Sequence, residues 1–396
     1  MAEYDYGGDS KAPTKTKDSL ALLVQAHFSI GKEYRAGAGD EETWREAYDA
    51  HRAIHPVKVN GVLSLAKKRG VFVHLVRRRV NSARVKITSL LFESGKVPFS
   101  ITPNYTPKFA APDLQQVPPE QMRDEIDMRA ERMENTIRDI LRKTDYIGVV
   151  NDTVLEMCLY GTGVTKSIVL KGYNYPVYKS AKQDPEILKA EDLLESELIP
   201  TIERVSIWDL FPNPEAKSIE DCDWVIQRAF YSPQQMVSLK EQVGFDKGAI
   251  EEVLETGEGE ESGYDQSESP SKGANSTRER IKKYQVLEEW GTYTKDELEP
   301  YTDVSKYKGD SIPMCITVCG DKVIRVVENP FDGRIPYDFC YWERNPDSVW
   351  GDGIYFSIRD LQDITNFAFA QLVEGKALAS NPISVIDPQA FDPKED

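Results

Sequence analysis

The chain has 396 residues, 40% of them hydrophobic, with 25 glycines and a formal net charge of −17. This globular composition is enough for two or three domains at ~100–200 residues each, and it excludes a wholly disordered or fibrous protein. Acids outnumber bases 66 to 49, a balance that favours solubility and repels nucleic acid overall.

Residues 1–17 are small and polar and read as a mobile tail. They carry neither the basic start nor the apolar run of a signal peptide, so the chain is expected to stay where it is made. Helices follow from Ser19, with Leu22, Leu23, Ala26 and Ile30 as the apolar side, and from Thr43, with Trp44, Ala47 and Tyr48. The longest stretch without a charged residue, Ser19–Gly31, contains Gln25 and His27 and falls short of the ~18 apolar residues of a membrane span. Between Val57 and Leu91 stand nine bases and no acid: Lys58, Lys67, Lys68, Arg69, Arg77, Arg78, Arg79, Arg84 and Lys86. The second half of this segment, from Val71, reads as a long helix or as a helix entered from a short strand. PFSITPNY, from Pro98, reads as a short strand, and a proline-rich loop leads to a helix hairpin over 119–160. Its first arm carries Met122, Ile126, Met133, Ile137 and Leu141, and its second is capped by Asp145 and closed by Gly161.

Strands dominate 165–230, interrupted by an acidic excursion at 182–199 that reads as a short surface helix. Residues 256–277 have only Tyr264 and Ala274 as apolar side chains and read as a flexible acidic linker. Residues 278–356 are β-rich, with a hairpin turn at Gly320-Asp321, and a helix follows over 357–379. On it Leu361, Ile364, Ala368, Leu372, Gly375 and Ala379 recur at helical spacing, half of them small, which suits close helix packing.

No catalytic or metal site emerges. The five cysteines lack paired CxxC spacing and read as buried thiols in a reducing compartment, and the four histidines form no ligand motif. YGTGVTKS, from Tyr160, ends in Lys-Ser, but Thr165 stands where a phosphate-binding loop needs glycine, and the order helix–turn–strand is wrong. WGDGIY, from Trp350, has the form of an anion cradle at a helix start, but a tight turn placing Trp350 and Tyr355 in a core is the better reading. The carboxylate pairs Glu251-Glu252 and Glu260-Glu261 read as solvated charge. No cofactor is expected. The basic segment has two readings, DNA-backbone contact or contact with an acidic surface of a neighbouring subunit, and the second is preferred because the rest of the chain is so acidic.

Three blocks together resemble the portal proteins of tailed bacteriophages. Arg204–Phe230 contains an Asp-x-Phe-x-x-Pro turn with an alanine nearby, and then an Ile-x-Asp-x-Asp lead into a strand. YQVLEEWG is followed by Glu328–Pro382 with Asn-Pro, Ile-Pro and Gly-x-Gly, and the third, looser block is the hairpin ending LYGTGVTK. The resemblance spans about 57–382 and implies an α+β, portal-like fold. In it, 18–255 is a wing-like region, 278–356 its β-rich continuation, 357–379 the first stem helix and 380–396 the start of a clip-like segment. A second stem helix and a crown have no counterpart here, which leaves two readings: a piece of a longer product, or a different placement of the late segments.

By this resemblance the protein is a non-enzymatic ring, expected to have twelve copies, at one capsid vertex of the virion. It is assembled in the host cytoplasm without a membrane. Double-stranded DNA is expected to pass through it without sequence recognition during packaging and ejection. Its other partners are the major capsid protein, the terminase motor and tail or adaptor proteins. Lys67, Lys68, Arg69, Arg77, Arg78, Arg79, Arg84 and Lys86 are candidates for the subunit interface or the DNA backbone, and the six residues from Leu361 to Ala379 are candidates for stem packing. A capsid-associated structural protein without a DNA channel is the alternative.

Overall fold

A computed structural model describes residues 18–55, 71–95, 97–105, 119–176, 194–242, 244–257, 259–262, 282–307 and 309–380. The 1–17 tail, Lys58, Lys67, Lys68, Arg69, most of the 256–277 linker and nearly all of the clip-like 380–396 segment lie outside the described residues. The fold is mixed α+β with two sheets. The chain divides into two compact units built from separated segments, whereas the sequence reading ran a wing-like region continuously from 18 to 255.

The first unit comprises residues up to Glu41, Val205–Asp338 and Pro346–Val349. It begins with helix α1 (Ser19–Gly37). Its six-stranded sheet has the path β3 (Leu210–Pro212), β4 (Trp224–Tyr231), β6 (Lys282–Thr294), β7 (Ser311–Cys319) and β8 (Lys322–Glu328), with β5 (Glu260–Ser262) paired to β6. β-branched and aromatic residues suit these positions because alternate side chains enter opposite layers. On one face Ile226, Leu287, Tyr293, Met314 and Ile316 meet Leu20, Ala21 and Val24 of α1. On the other, Val286, Cys319 and Ile324 meet Met236, Leu239, Ile250 and Val253 from two helices over 233–239 and 247–256. All five cysteines are free thiols, and burial pushes Cys158 up to about 11 and Cys222 up to about 12.

Two expectations are corrected here. On α1 the expected core residues Leu22 and Ile30 are exposed, and the buried side is Leu20, Ala21, Val24, Gly31 and Arg35. Gly31 explains the choice: a Cβ there would stand 3.3 Å from that of Phe211, so this is the side that approaches the sheet most closely. Within 256–277, Glu260–Ser262 is a strand paired with Tyr284–Lys282, because ladder hydrogen bonds hold a segment that has no apolar side chains to bury.

The second unit comprises Glu42–Arg204, Phe339–Asn345 and the chain from Trp350. It holds α2 (Asp40–Arg52, from Glu42), α3 (Leu75–Leu91), α4 (Pro119–Lys143), α5 (Tyr146–Tyr160) and the long α9 (Ile354–Ser380). The first unit's helices take the numbers between, α6 (Pro233–Leu239), α7 (Lys247–Thr256) and α8 (Lys295–Leu298). The second unit's sheet has the order β2 (Leu194–Val205), β1 (Thr162–Pro176), β9 (Tyr337–Tyr341). The end of the acidic excursion is thus strand, not helix. The segment from Val97 to Tyr105 is not a strand either: Ile101 N–H donates to Glu134, Tyr105 to Asp127, and Arg138 donates to the Phe99 carbonyl. The Ile101 N–H and the Phe99 carbonyl thus find side chains of α4 instead of a neighbouring strand. Asp145, at φ 51°, accepts from Gly148 N–H and starts α5, and Gly161, at φ 103°, ends it.

Candidate functional site

The Asp-x-Phe-x-x-Pro block is locked by two arginines. Arg35 is buried and donates to the carbonyls of Ile207, Trp208 and Leu210 at 3.1–3.2 Å and to Glu41 at 2.7 Å. Arg228, also buried, donates to Asp209 and to the Trp208 carbonyl, and the Phe211 ring lies 4.1 Å from the Arg35 guanidinium and 5.3 Å from that of Arg228. Cations this deep are stable only when their donors find acceptors, and the turn's carbonyls, Glu41 and Asp209 meet the Arg35 and Arg228 donors other than Arg35 Nη2. The motif is therefore a structural joint of the first unit. Beside it, His27 of α1 stacks on Trp224 at 4.7 Å and bonds Glu289 at 2.8 Å. That hydrogen bond raises the His27 pKa against the effect of its burial, while burial among Ile226 and Ile316 raises Glu289.

In the second unit the two glycine motifs set aside as ligand sites meet each other. A Cβ on Gly161 would fall 2.0 Å from the Gly351 carbonyl oxygen, and one on Gly353 would fall 2.4 Å from that of Leu159. The Thr162 hydroxyl accepts from Gly351 N–H at 2.8 Å, and Trp342 N–H donates to the Gly161 carbonyl at 2.9 Å. The start of α9 is filled by the chain's own backbone and offers no cradle for an anion. Trp350 is buried between Trp44 and Phe339, at 5.1 and 5.9 Å, and Tyr355 donates to Glu46 at 3.3 Å, while burial holds the Tyr355 pKa far above its ordinary value.

This clasp fixes where α9 begins, and two amides fix how it is turned. Gln362, 2% exposed, donates to the Val73 carbonyl at 2.6 Å and accepts from Val76 N–H at 3.2 Å, and Asn366 accepts from Val73 N–H at 2.8 Å. They supply the acceptors that the first turn of α3 needs, because His74 gives it no side-chain cap. With the amides inward, the apolar side faces out. Leu361, Ile364, Ala368, Leu372, Gly375 and Ala379 are all exposed, and no atom lies within 4 Å of a Cβ built on Gly375. Phe367 and Leu378 are exposed beside this stripe, and Phe369 and Val373 are exposed along the line of Gln362 and Asn366.

The arginines of the basic segment are dispersed by the helix, since consecutive residues point ~100° apart. Arg77, Arg78, Arg79 and Lys86 are exposed and Arg84 is half-buried, while Val76 and Val80 face inward. Spacing brings Arg77 and Arg84 to one side and Arg79 and Lys86 to another. Sequence reasoning missed Gln362, Asn366, Arg35 and Arg228. The first two carried a signal, an amide pair four apart on one helix. Among the described residues no group of three or more His, Cys, Asp or Glu is placed to hold a metal, and no helix is long and apolar enough to cross a membrane.

A mixed α+β chain that holds a long helix apolar side out has the form of a structural component made for assembly. The comparison with known families says which one. Residues 179–395 match the family described as phage SU10 portal protein, and the chain belongs to that family of tailed-phage portal proteins. It is a structural, capsid-associated protein of the virion, in a family that is not enzymatic. No curated protein matches the chain.

Proposed function

We propose that copies of this chain close into a ring at one capsid vertex. Double-stranded DNA passes through it during packaging and ejection, and the packaging motor and tail or adaptor proteins dock on it. The observation that carries this reading is α9. A folded chain does not leave Leu361, Ile364, Phe367, Leu372 and Leu378 in water around an open glycine without cost, at ~1.5–3 kcal/mol for each large side chain fully transferred. Its exposed residues occupy two sides, and in a head-to-tail ring each subunit is touched by a different neighbour on either side. The net charge of −17 suits a conduit, because tight phosphate contacts would brake the moving DNA.

Class-averaged electron images of the purified protein should show rings with a DNA-width hole, twelve copies being the expectation for the family. Gly375→Leu should overpack each contact by ~1–3 kcal/mol and give folded subunits that do not close, while Gly375→Ala stays mild. Particles without a hole would favour the alternative, a capsid-associated component that never encloses DNA. Rings formed normally by Gly375→Leu would remove α9 from the contact.

A further inference from the structure

We infer that the side of the second unit formed by Arg52, Arg77 and Arg84 around His51 is a docking surface for carboxylates of a second copy of this chain. This rests on the ring reading and adds which chemistry joins the neighbours. Arg52 stands at the end of α2, and Arg77 and Arg84, seven apart, share one side of α3. None of the three makes an ion pair among the described residues, and the same holds for Arg78, Arg79 and Lys86. The Arg84 Nε and His51 Nε2 atoms are shielded from solvent and have no acceptor within the described chain. Those two atoms are closed off within the unit itself, so the exposed guanidinium groups of Arg52 and Arg77 are the ones open to a carboxylate from outside.

The charge balance says what brings that carboxylate. α3 carries five cations and no acid in a chain of net −17, so the surplus of carboxylates lies elsewhere on the same molecule. In a head-to-tail contact two different surfaces of one chain meet, and a cationic side facing an acidic side is the complementary pairing. A nucleic-acid phosphate has the right charge, but it would approach many copies of a strongly acidic chain.

A proton should follow the contact. Four groups surround the imidazole: Arg52 on its own helix, and Arg77, Asn81 and Arg84 on α3. Burial first, and then the Arg77 charge, hold His51 below its ordinary value of 6.5 in the free chain. A docked carboxylate favours imidazolium and moves His51 the other way. Over the interval between the two values the assembled state binds the extra proton, so assembly strengthens as pH falls through that interval and weakens as pH rises.

Sedimentation velocity on the full chain, across protein concentration, salt and pH, tests this. The wild type should assemble less readily at high salt and high pH. The double variant Arg77→Gln/Arg84→Gln should need about tenfold more protein and show a flatter salt and pH response, while Arg77→Lys/Arg84→Lys keeps the salt response. If circular dichroism shows the double variant misfolded, Arg77→Gln alone, at an exposed position, should give a smaller shift in the same direction. Glutamine variants that assemble with wild-type midpoint and salt slope overturn the inference and leave the ring reading standing. Normal rings that lose retained duplex DNA overturn it in favour of a phosphate contact. A wild type that never assembles removes the ring reading and this inference together.

Discussion

On both α1 and α9 most of the apolar residues picked out by helical spacing face water, Leu23 of α1 being the one that packs against the core. On α1 the residues Leu22, Ile30 and Tyr34 are exposed, while Arg35 is buried and His27 half-buried against the sheet. On α9 Leu361, Ile364 and Leu372 are exposed while Gln362 is buried against α3. The difference lies in the rest of each helix. α1 also buries Leu20, Ala21 and Val24, so its inner side is an ordinary core with a polar latch, whereas α9 buries little beyond Ile354 and Gln362 and is held by backbone contacts and amides. A buried polar residue marks the docked side of a helix more reliably than an apolar stripe does, because it persists there only when its hydrogen bonds are met.

The strongest way to break this contrast is at the clasp. Gly161→Val adds strain at φ 103° to a Cβ that would sit 2.0 Å from the Gly351 carbonyl oxygen. We expect a loss of roughly 4 kcal/mol or more, read as a collapsed thermal transition or as insoluble protein. A protein that melts like the wild type would mean that α9 is not anchored there. Next in size, Gln362→Leu keeps the volume but strips Val73 and Val76 of their partners and should cost ~2 kcal/mol in denaturant unfolding. The control on the opposite side, Leu372→Gln, should change folding by less than ~0.5 kcal/mol while weakening assembly. Equal effects of the two would erase the distinction between inner and outer sides.

The smallest effect concerns the latch under α1. His27 has a raised pKa in the folded chain, so the stability it contributes is fully present below its unfolded value of 6.5 and is lost as pH rises through the higher folded value. His27→Gln should therefore flatten the loss of unfolding stability that sets in as pH rises above 6.5, measured as denaturant midpoint against pH. An unchanged profile would leave the pair with Glu289 without energetic weight.

Much of the local structure was legible. Asp145 and Gly161 were read as the caps of α5 because a side-chain acceptor at one end and a residue tolerant of positive φ at the other are requirements met within a few residues. Gly320-Asp321 was read as the hairpin turn, and it joins β7 to β8 with Gly320 at φ 57°. Cys315 and Cys319 were read as packed thiols, and both are fully buried. Where the reading failed, at the inner side of α1, at Glu260–Ser262, at 194–199 and at 97–105, the deciding partner lay far away in sequence or was a side chain supplying an unexpected acceptor.

Residue order is enough to assign the family, through a string of short motifs whose order no single fold rule requires, and the family resemblance carries the α+β class, while periodicity and turn chemistry separate helices from strands. Residue order also identified α9 as a helix with one side of small and apolar residues. That this side stays in water is an outcome of long-range contacts. That outcome depends on two glycine turns, about 190 residues apart, approaching each other without side chains, and on two amides finding the open first turn of α3. Hydrophobic spacing specifies that a surface is to be covered, but it is non-directional and does not specify by what. The directional bonds that turn a helix toward or away from its own core belong to residues brought together by the fold.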